Sequence, residues 1–210
     1  MIFTIASFKG GVGKTTTAVH LSNYLHSADG PALLIDGDPN KSATGWAERG
    51  GNLFPCPIAD LFTAPKLMGS AKHTVIDTAA RPSADELKSL INGCDLLVLP
   101  TTAKALDIDA LIKTVATLKS LEGKGRYVVL LTMIQPGRNT GDQARETLIK
   151  RGLTVVGRAI RFYVAHEKAS LKGCLVGDVK GDRNAAIAAS DYRQACEEII
   201  ALAKGGSNDV

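Results

Sequence analysis

The stretch SFKGGVGKTTTA, Ser7 to Ala18, decides the fold of this 210-residue chain. Its glycines Gly10, Gly11 and Gly13 allow the backbone to turn tightly, so that its N–H groups can point at phosphate oxygens. The apolar run MIFTIAS precedes the loop, and a helical pattern, TTTAVHLSNYLHSA, follows it. A strand, a glycine loop and the positive end of a helix, in this order, predict a phosphate-binding loop.

The two lysines of this stretch have different expected roles. The segment matches the pattern G-x-x-x-x-G-K-[ST] at Gly13, Lys14 and Thr15, but Phe8 stands where the first glycine would be. We expect Lys14 to reach the β- and γ-phosphates of a nucleotide and the Thr15 hydroxyl to bind Mg²⁺. Lys9 stands in front of the glycines, where a phosphate-binding loop does not require a charge.

Apolar runs alternate with helical patterns along the rest of the chain. The runs PALLIDGDP, KHTVIDTAARP, DLLVLPTTA, RYVVLLTMI and the shorter LTVVGRAI predict strands. Further helices are predicted at NKSATGWAERG, SADELKSLINGC, LDIDALIKTVATLKSL, GDQARETLIKRG and AAIAASDYRQACEEIIALAKG, and Ser83 and Glu86 have the spacing of a capping box. Continuous apolar strands are typical of sheets covered on both faces. We therefore predict the α/β class: a P-loop NTPase with a mostly parallel twisted sheet and helices on both faces.

Three aspartates follow predicted strands. Asp36 and Asp38 come after PALLI, and Asp77 comes after HTVI. The carboxyl ends of parallel strands form the ligand-binding edge of such a sheet, and Mg²⁺ takes only one or two carboxylates. Asp77 is the expected outer ligand of Mg²⁺, Asp38 is better suited to orienting the attacking water, and Asp36 is a candidate support of the metal shell. The alternative for each aspartate is a helix cap or a turn residue.

Composition and charge restrict the class of protein. The chain has 45% hydrophobic and 22% charged residues, as soluble globular proteins do, and no apolar run near the ~20 residues of a membrane span. MIFTIASF is too short for a signal peptide, so we expect a cytoplasmic protein. The four cysteines lie far apart, which argues against a disulfide or metal framework. The length predicts one domain, residues 1–210, with a polar tail from about residue 204.

The net charge of +4 comes from the second half of the chain. Residues 1–105 carry 9 Lys+Arg and 9 Asp+Glu, whereas residues 106–210 carry 16 and 12. Between residues 138 and 183 there are 10 basic and 5 acidic residues. Such an asymmetry fits either a solvated face or a patch that binds a polyanion.

Several motifs together resemble the deviant Walker ATPases of the ParA/MinD family. KGGVGKTT at 9–16, DGDPN at 36–40 and DTAARP at 77–82 are similar to that family's patterns KGGxGK[ST]T, DxDPQ and DxxA. PTTAKALDIDAL, at 100–111, is similar to the family's segment after its fourth strand. The resemblance runs from residue 1 to about residue 176.

This chain also departs from the family pattern. Asn40 stands where the family commonly has glutamine, and Ala79 where it often has proline. The segment IRFYVAHEKASLKG matches the family's I-R-x(5)-E-A stretch, where the base and the dimer face lie in the family, only in part, at Arg161 and Glu167. The departures remove no group that the chemistry needs, but they leave the behaviour of the loops and the rate of hydrolysis open.

The resemblance implies an ATPase with weak intrinsic activity that forms a dimer around two molecules of ATP with Mg²⁺. Lys9 matches the signature lysine, which in the family crosses the dimer interface to the phosphates held by the other subunit. Lys9, Lys14 and Asp38 are thus the expected catalytic residues, and Met133 and Pro136 are expected walls of the adenine pocket. The expected metal residues are Thr15, Asp38 and Asp77. The loop residues expected to contact the nucleotide are Lys9, Gly10, Gly11, Val12, Gly13, Lys14, Thr15 and Thr16.

Within this family the chain is most similar to the small, single-domain branch. No DNA-reading helix-turn-helix precedes the loop, and EEIIALAKGGSNDV lacks the basic amphipathic helix of the membrane-binding MinD branch. Members of the small branch segregate plasmids or position carboxysomes by binding the nucleoid non-specifically, with an adaptor that stimulates hydrolysis. We expect the same partners here, a nucleoid-associated location and no membrane. Candidate DNA contacts are Arg138, Arg145, Lys150, Arg151, Arg158, Lys168, Lys172, Lys180 and Arg183.

Two other readings of the loop remain open. A metabolic enzyme, such as an ATP-dependent ligase of the dethiobiotin synthetase type, would need a substrate pocket with convergent polar groups beside the γ-phosphate. The sequence shows no histidine cluster or second carboxylate group to build one. A MinD-like regulator would need a membrane-binding end, which the polar tail disfavours.

Overall fold

The computed structural model describes residues 1–120 and 125–205, which form a parallel sheet between two layers of helices. Within them the strands are β1 (Ile2–Ser7), β2 (Ala32–Gly37), β3 (Ile58–Asp60), β4 (His73–Ala80), β5 (Leu96–Thr101) and β6 (Tyr127–Leu131). Their order in space is β3-β2-β4-β1-β5-β6, and every pair is parallel. The predicted α/β class and parallel sheet are confirmed.

Eight α-helices are present in this described part of the chain. They are α1 (Lys14–Ala28), α2 (Ser42–Gly50), α3 (Ala64–Met68), α4 (Ala84–Asn92), α5 (Ala105–Ser120), α6 (Thr140–Lys150), α7 (Val164–Lys172) and α8 (Ala185–Lys204). The capping box of α4 is confirmed, because Ser83 Oγ accepts a hydrogen bond from Glu86 N and the Glu86 carboxylate accepts one from Ser83 N. Of the helices in the described residues, none is both long and apolar enough to cross a membrane.

Successive residues of the central strands face two separate apolar cores. In β5, Val98 packs toward α1, α2, α7 and α8, and Leu97 packs toward α4, α5 and α6. In β6, Val128 belongs to the same core as Val98, and Val129 to the same core as Leu97. Full burial of such a side chain stabilises the fold by about 1.5–3 kcal/mol. Burial on both faces explains why these strands are continuous apolar runs in the sequence.

The prediction that LTVVGRAI forms a strand is wrong. It makes only one isolated bridge, Val129 to Val155, on the outer edge of β6. The next amides do not continue the ladder, because the N–H groups of Gly157 and Arg158 both donate to the carboxylate of Glu198. A side chain from α8 thus interrupts the strand pairing that the apolar pattern predicted, and backbone bonding to β6 returns only at Ile160, whose N–H donates to Leu131 O at 2.8 Å.

Three short elements were not predicted. β3 and α3 have only 3 and 5 residues, and α7 buries only the small side chains of Ala165 and Ala169, so none of the three has a clear periodic apolar pattern. Parts of two predicted segments lie outside the described residues: the end of the helix at Leu121, and the polar tail at 206–210.

The ends of α2 and α7 meet at two glycines. A Cβ on Gly50 would lie far inside van der Waals contact of the Gly173 carbonyl, and Gly173 itself has a φ of 69°. The close approach allows Trp46 Nε1 to donate to Cys174 O at 3.1 Å and Arg49 Nε to donate to Ser170 O at 2.9 Å. These contacts hold α7 beside α2.

Arg126, just before β6, holds the end of α8. Its Nη1 donates to Leu202 O at 2.9 Å and its Nη2 to Ala203 O at 2.7 Å. The last helical carbonyls lack partners within a helix, so a guanidinium here stabilises the helix end. This contact lies at the amino ends of the strands, opposite the edge that carries the glycine loop.

Candidate nucleotide-binding site

The glycine loop leaves the carboxyl end of β1, between β4 and β5. Gly11 and Gly13 have φ angles of 74° and 84°, which side chains other than glycine rarely adopt. A Cβ added at Gly10 or Gly11 would meet no atom within 4 Å. The loop therefore borders open space, and α1 begins directly behind it at Lys14. This arrangement has the shape of a phosphate cradle.

Thr132 fixes the loop to the sheet. Its Oγ1 lies 2.9 Å from Val12 O and 3.1 Å from Thr101 O, and donates to these carbonyls. The hydroxyl thus joins the glycine loop to the ends of β5 and β6. Sequence reasoning missed Thr132, since one threonine after an apolar strand carries no distinguishing signal.

Asp77 is a buried carboxylate beside the loop. It is 0% exposed, and neither of its oxygens accepts a hydrogen bond from the described residues. Burial raises the pKa of Asp77 to about 7, although the Thr15 hydroxyl and the Lys14 ammonium oppose that shift. A buried carboxylate without partners, next to a threonine hydroxyl, fits a Mg²⁺ ion that would supply the missing charge.

The other two aspartates are held differently. Asp36 is fully buried and accepts hydrogen bonds from Thr44 N and Thr44 Oγ1, at 2.8 and 2.7 Å, and from Asp38 N at 3.2 Å. Its carboxylate therefore positions Asp38 and the start of α2. Asp38 Oδ1 accepts from both Asn40 N and Asn40 Nδ2 at 2.9 Å, whereas Oδ2 has no such donor among the described residues. Asp38 thus has one anchored oxygen and one available oxygen.

The two lysines of the loop lie in different surroundings. Lys14 is 8% exposed inside the loop. The side chain of Lys9 is 42% exposed, and its Nζ lies 3.0 Å from Asp107 Oδ1. Asp107 Oδ2 accepts from Thr102 Oγ1 at 2.6 Å. This carboxylate, at the start of α5, was not among the predicted site residues, although it lies in a segment noted for its resemblance.

A cavity of about 400 Å³ opens beside the loop and is large enough for a nucleoside. Gly13 and Thr16 form one side, and Met133 forms another. Met133 has a φ of 54°, an uncommon backbone conformation for a non-glycine residue. Pro136 is exposed and does not line this cavity, so of the two predicted wall residues only Met133 lies in the wall.

The rest of the cavity wall comes from the segment before α7, from α7 itself and from Tyr192 of α8. Arg161 and Glu167, the two residues that match the family's stretch for the base, both line the cavity; Phe162, Tyr163 and His166 line it too, and sequence reasoning did not single them out. His20 stacks on Tyr192 with ring centroids 4.2 Å apart, and burial lowers the pKa of His20 to about 3. His20 is a structural residue behind the wall, since its ring bonds to Thr16 O and Val176 N.

The predicted basic residues do not form one uniform patch. Lys150 and Lys168 lie near carboxylates, 3.7 Å from Glu146 and 2.8 Å from Asp182. Four others are exposed and form no ion pair with the described residues: Arg151, Lys172, Lys180 and Arg183. The remaining three, Arg138, Arg145 and Arg158, line a second cavity.

The glycine loop, the buried Asp77 and the nucleoside-sized cavity define a nucleotide-binding protein of the P-loop class. The sequence profile of the CobQ/CobB/MinD/ParA nucleotide binding domain matches residues 3–176. The chain belongs to this family.

Comparisons with individual proteins agree with this assignment. The chain is 38% identical over 206 residues to the maintenance of carboxysome distribution protein A of Gloeobacter kilaueensis, covering 94% of this chain and 93% of that protein. The fold is similar to that of apo McdA from Cyanothece, with a TM-score of 0.73, 18% identity and coverage of 97% and 99%. A putative plasmid partition protein from Borrelia burgdorferi B31, bound to AMPPNP, has a TM-score of 0.73 and 20% identity, with coverage of 96% and 98%.

Proposed function

We propose that residues 1–210 form one domain, a Mg²⁺-dependent ATPase that dimerises around two ATP molecules. The dimer binds nucleoid DNA without sequence preference, and an adaptor protein stimulates hydrolysis and so releases it. The cycle positions or segregates a cargo in the cytoplasm. The observation that carries this proposal is the second lysine: Lys9 stands partly exposed at the mouth of a loop whose own phosphate lysine is Lys14.

The residues of one subunit suffice to hold the nucleotide. Backbone N–H groups of the glycine loop bind the phosphates, and Lys14 offsets their charge. Thr15 and Asp77 hold Mg²⁺, which neutralises charge on the transferred phosphoryl group when it is bound. Asp38 holds the attacking water through its available oxygen. Met133 is the wall residue proposed to contact the adenine.

Lys9 serves the neighbouring subunit in this proposal. Two ATP molecules facing each other across an interface bring several negative charges into a space from which water is excluded. A cation supplied by each partner offsets this repulsion, and its effect grows as the local dielectric constant falls. An arginine finger supplied in trans acts in the same way. Because the γ-phosphate is needed for the contact, ATP and not ADP would stabilise the dimer.

The basic second half of the chain supports DNA as a partner. Exposed lysines and arginines that contact phosphates give sequence-independent binding, typically with Kd of about 10⁻⁴ to 10⁻⁶ M and a steep dependence on salt. A dimer doubles the number of such contacts, so dimerisation would switch binding on. The names of two similar proteins, one for carboxysome distribution and one for plasmid partition, support a cargo-positioning role.

The test is binding of random-sequence duplex DNA at two salt concentrations, with ATP, ADP or no nucleotide. Lys9→Ala is compared with the parent and with Lys104→Ala, which removes an exposed lysine nearby. We expect binding only with ATP, weakening with salt, lost in Lys9→Ala and kept in Lys104→Ala. Sizing of the same samples reports the dimer independently.

Other outcomes would favour the other readings. Turnover of ATP without DNA binding in any nucleotide state would point to a metabolic enzyme, such as an ATP-dependent ligase. Pelleting with anionic liposomes in the presence of ATP would point to a membrane-associated regulator. DNA binding that ignores the nucleotide would contradict the proposed switch.

A further inference from the structure

Four arginines line one cavity of about 220 Å³ beyond the carboxyl end of β6. They are Arg138 in the loop after β6, Arg145 on α6, and Arg158 and Arg161 in the segment before α7. The rest of the lining is small or aliphatic apart from Asp142, which is exposed. Four cations that line one cavity repel one another, so the arrangement is unfavourable unless an anion or carboxylates offset their charge.

The carboxylates in contact with this cluster neutralise only one side of it. The buried carboxylate of Asp191 accepts hydrogen bonds from Arg161 Nε and Nη2, at 2.9 and 2.7 Å. Arg158 Nη1 lies 3.7 Å from the same carboxylate. Neither Arg138 nor Arg145 lies within 4.0 Å of a carboxylate in the described parts of the chain. The uncompensated charge is therefore on the side of Arg138 and Arg145.

Arg145 is held in place by groups that carry no charge. Its Nη2 donates to the carbonyl oxygens of Val156 and Gly157, and its Nε and Nη1 donate to no group in the described residues. Arg158 is fixed similarly, with Nε donating to Gln194 Oε1 at 2.8 Å. Glu198 of α8 does not pair with these guanidinium groups, because its carboxylate accepts from the amides of Gly157 and Arg158. A guanidinium that is already immobilised loses little entropy when it binds an anion.

We propose that this arginine cavity holds a phosphate group of the DNA backbone, with Arg138 and Arg145 as the main contacts. This inference rests on the DNA binding proposed above and assigns the part of the surface that contacts the DNA backbone. The planar fork of arginine matches phosphate oxygens. No aromatic ring lines the cavity, so a base has nothing to stack on and the contact is independent of sequence.

The test measures the affinity of the ATP-bound protein for random-sequence duplex DNA over a series of salt concentrations. Arg138→Gln removes an exposed charge whose side chain donates no hydrogen bond within the described residues, so the fold does not depend on it. Arg145→Gln removes the fixed guanidinium, whereas Arg145→Lys keeps the positive charge but not the planar pair of N–H donors. The matched control is Arg193→Gln, an exposed arginine on α8 outside the cavity. Thermal unfolding checks each variant.

Loss of one phosphate contact lowers the magnitude of the salt slope by about 0.9 and weakens binding about fivefold at 0.15 M salt. We expect at least these changes in Arg138→Gln and Arg145→Gln, a smaller loss in Arg145→Lys and less than a twofold change in Arg193→Gln. Equal losses in Arg193→Gln would show that only total charge matters and would overturn the inference. Parental affinity in both glutamine variants would also overturn it.

Inorganic phosphate and pyrophosphate form the second arm of the experiment. If they stabilise the parent but not Arg138→Gln or Arg145→Gln, while both variants bind DNA like the parent, the cavity takes a small anion and the DNA assignment is wrong. The parent itself separates the two proposals. Its failure to bind DNA with ATP would overturn the proposed function and this site together, whereas parental binding in the arginine variants overturns the site alone.

Discussion

Lys9 Nζ lies 3.0 Å from Asp107 Oδ1 of the same chain, and Thr102 Oγ1 donates to the other oxygen of that carboxylate at 2.6 Å. The hydroxyl of Thr102 and the charge of Lys9 both lower the pKa of Asp107 against the opposing effect of burial. Asp107 is therefore anionic in the neutral range and retains Lys9 on its own subunit. Lys9 has to leave this ion pair before it can make the contact with a partner's phosphate that is proposed above.

The first prediction concerns that ion pair. Asp107→Asn keeps the acceptor for Thr102 but removes the charge that retains Lys9. A partly exposed ion pair is worth about 0.2–1 kcal/mol, and each of the two subunits gives up one such pair, so we expect the ATP-dependent dimer to form up to about 30-fold more tightly. Sedimentation at several ATP concentrations measures this. Asp109→Asn, an exposed acid on the same helix, is the control and should leave dimerisation unchanged.

The second prediction concerns Asp38 and the residue that anchors it. Asp38→Ala removes the proposed water-orienting carboxylate, so ATP should still bind while hydrolysis falls at least about 100-fold and the dimer persists. Asn40→Ala removes one of the two hydrogen bonds to Asp38 Oδ1 and should slow hydrolysis more mildly, about threefold to tenfold. Single-turnover hydrolysis and ATP affinity are measured together. Parental turnover in Asp38→Ala would remove Asp38 from the mechanism.

The third prediction is a pH dependence of stability in the absence of Mg²⁺. The folded-state pKa of Asp77 is raised to about 7, above the ordinary value of 3.8. The folded state therefore binds more protons than the unfolded state between these pH values, and the free energy of unfolding falls as the pH rises through this window. Asp77→Asn removes the free-energy cost of ionising this buried carboxyl group. We expect it to stabilise the nucleotide-free protein by about 2 kcal/mol more at pH 8 than at pH 5.

Thermal unfolding in EDTA at the two pH values tests this, with Asp109→Asn as the exposed-acid control. The same Asp77→Asn protein should lose the additional stabilisation that Mg²⁺ gives to the ATP complex. A stabilising effect of equal size at pH 5 and pH 8 would contradict the raised pKa.

The fourth prediction concerns the contact between α2 and α7. Gly50→Ala would drive a methyl group into the Gly173 carbonyl, and neither backbone can move without disturbing the hydrogen bonds of Trp46 and Arg49. We expect a loss of about 1–3 kcal/mol in the free energy of unfolding. Gly69→Ala, where an added Cβ meets no atom within 4 Å, should change it by less than about 0.5 kcal/mol. Urea unfolding of both variants is the measurement.

Much of the fold could be predicted because its signals are local. The glycine loop lies directly between a strand and a helix, and the apolar runs of β1, β2, β4, β5 and β6 each mark a strand that is buried on both faces. The false strand after α6 shows the limit of this reasoning. Its apolar residues do face the core, but the amides of Gly157 and Arg158 bond to Glu198, some 40 residues further along the chain.

The candidate site likewise has residues that local signals predict and residues that only the folded structure brings together. Lys14, Thr15 and Asp77 could be predicted because a loop motif and a strand end place them at one edge of the sheet. Asp107 and Thr132 could not, since their contacts with Lys9 and Val12 depend on how β5 and β6 pack beside β1. The wall of the nucleoside cavity is built from α7 and α8, so it exists only after the whole domain has folded.

The clamp of Arg126 on the end of α8 has a practical consequence for imaging. It places the exit of the last described helix at the amino ends of the strands, away from the glycine loop, Lys9 and the arginine cavity. A fluorescent label attached at the end of α8 would therefore lie on the far side of the molecule from the surfaces to which partners are assigned above.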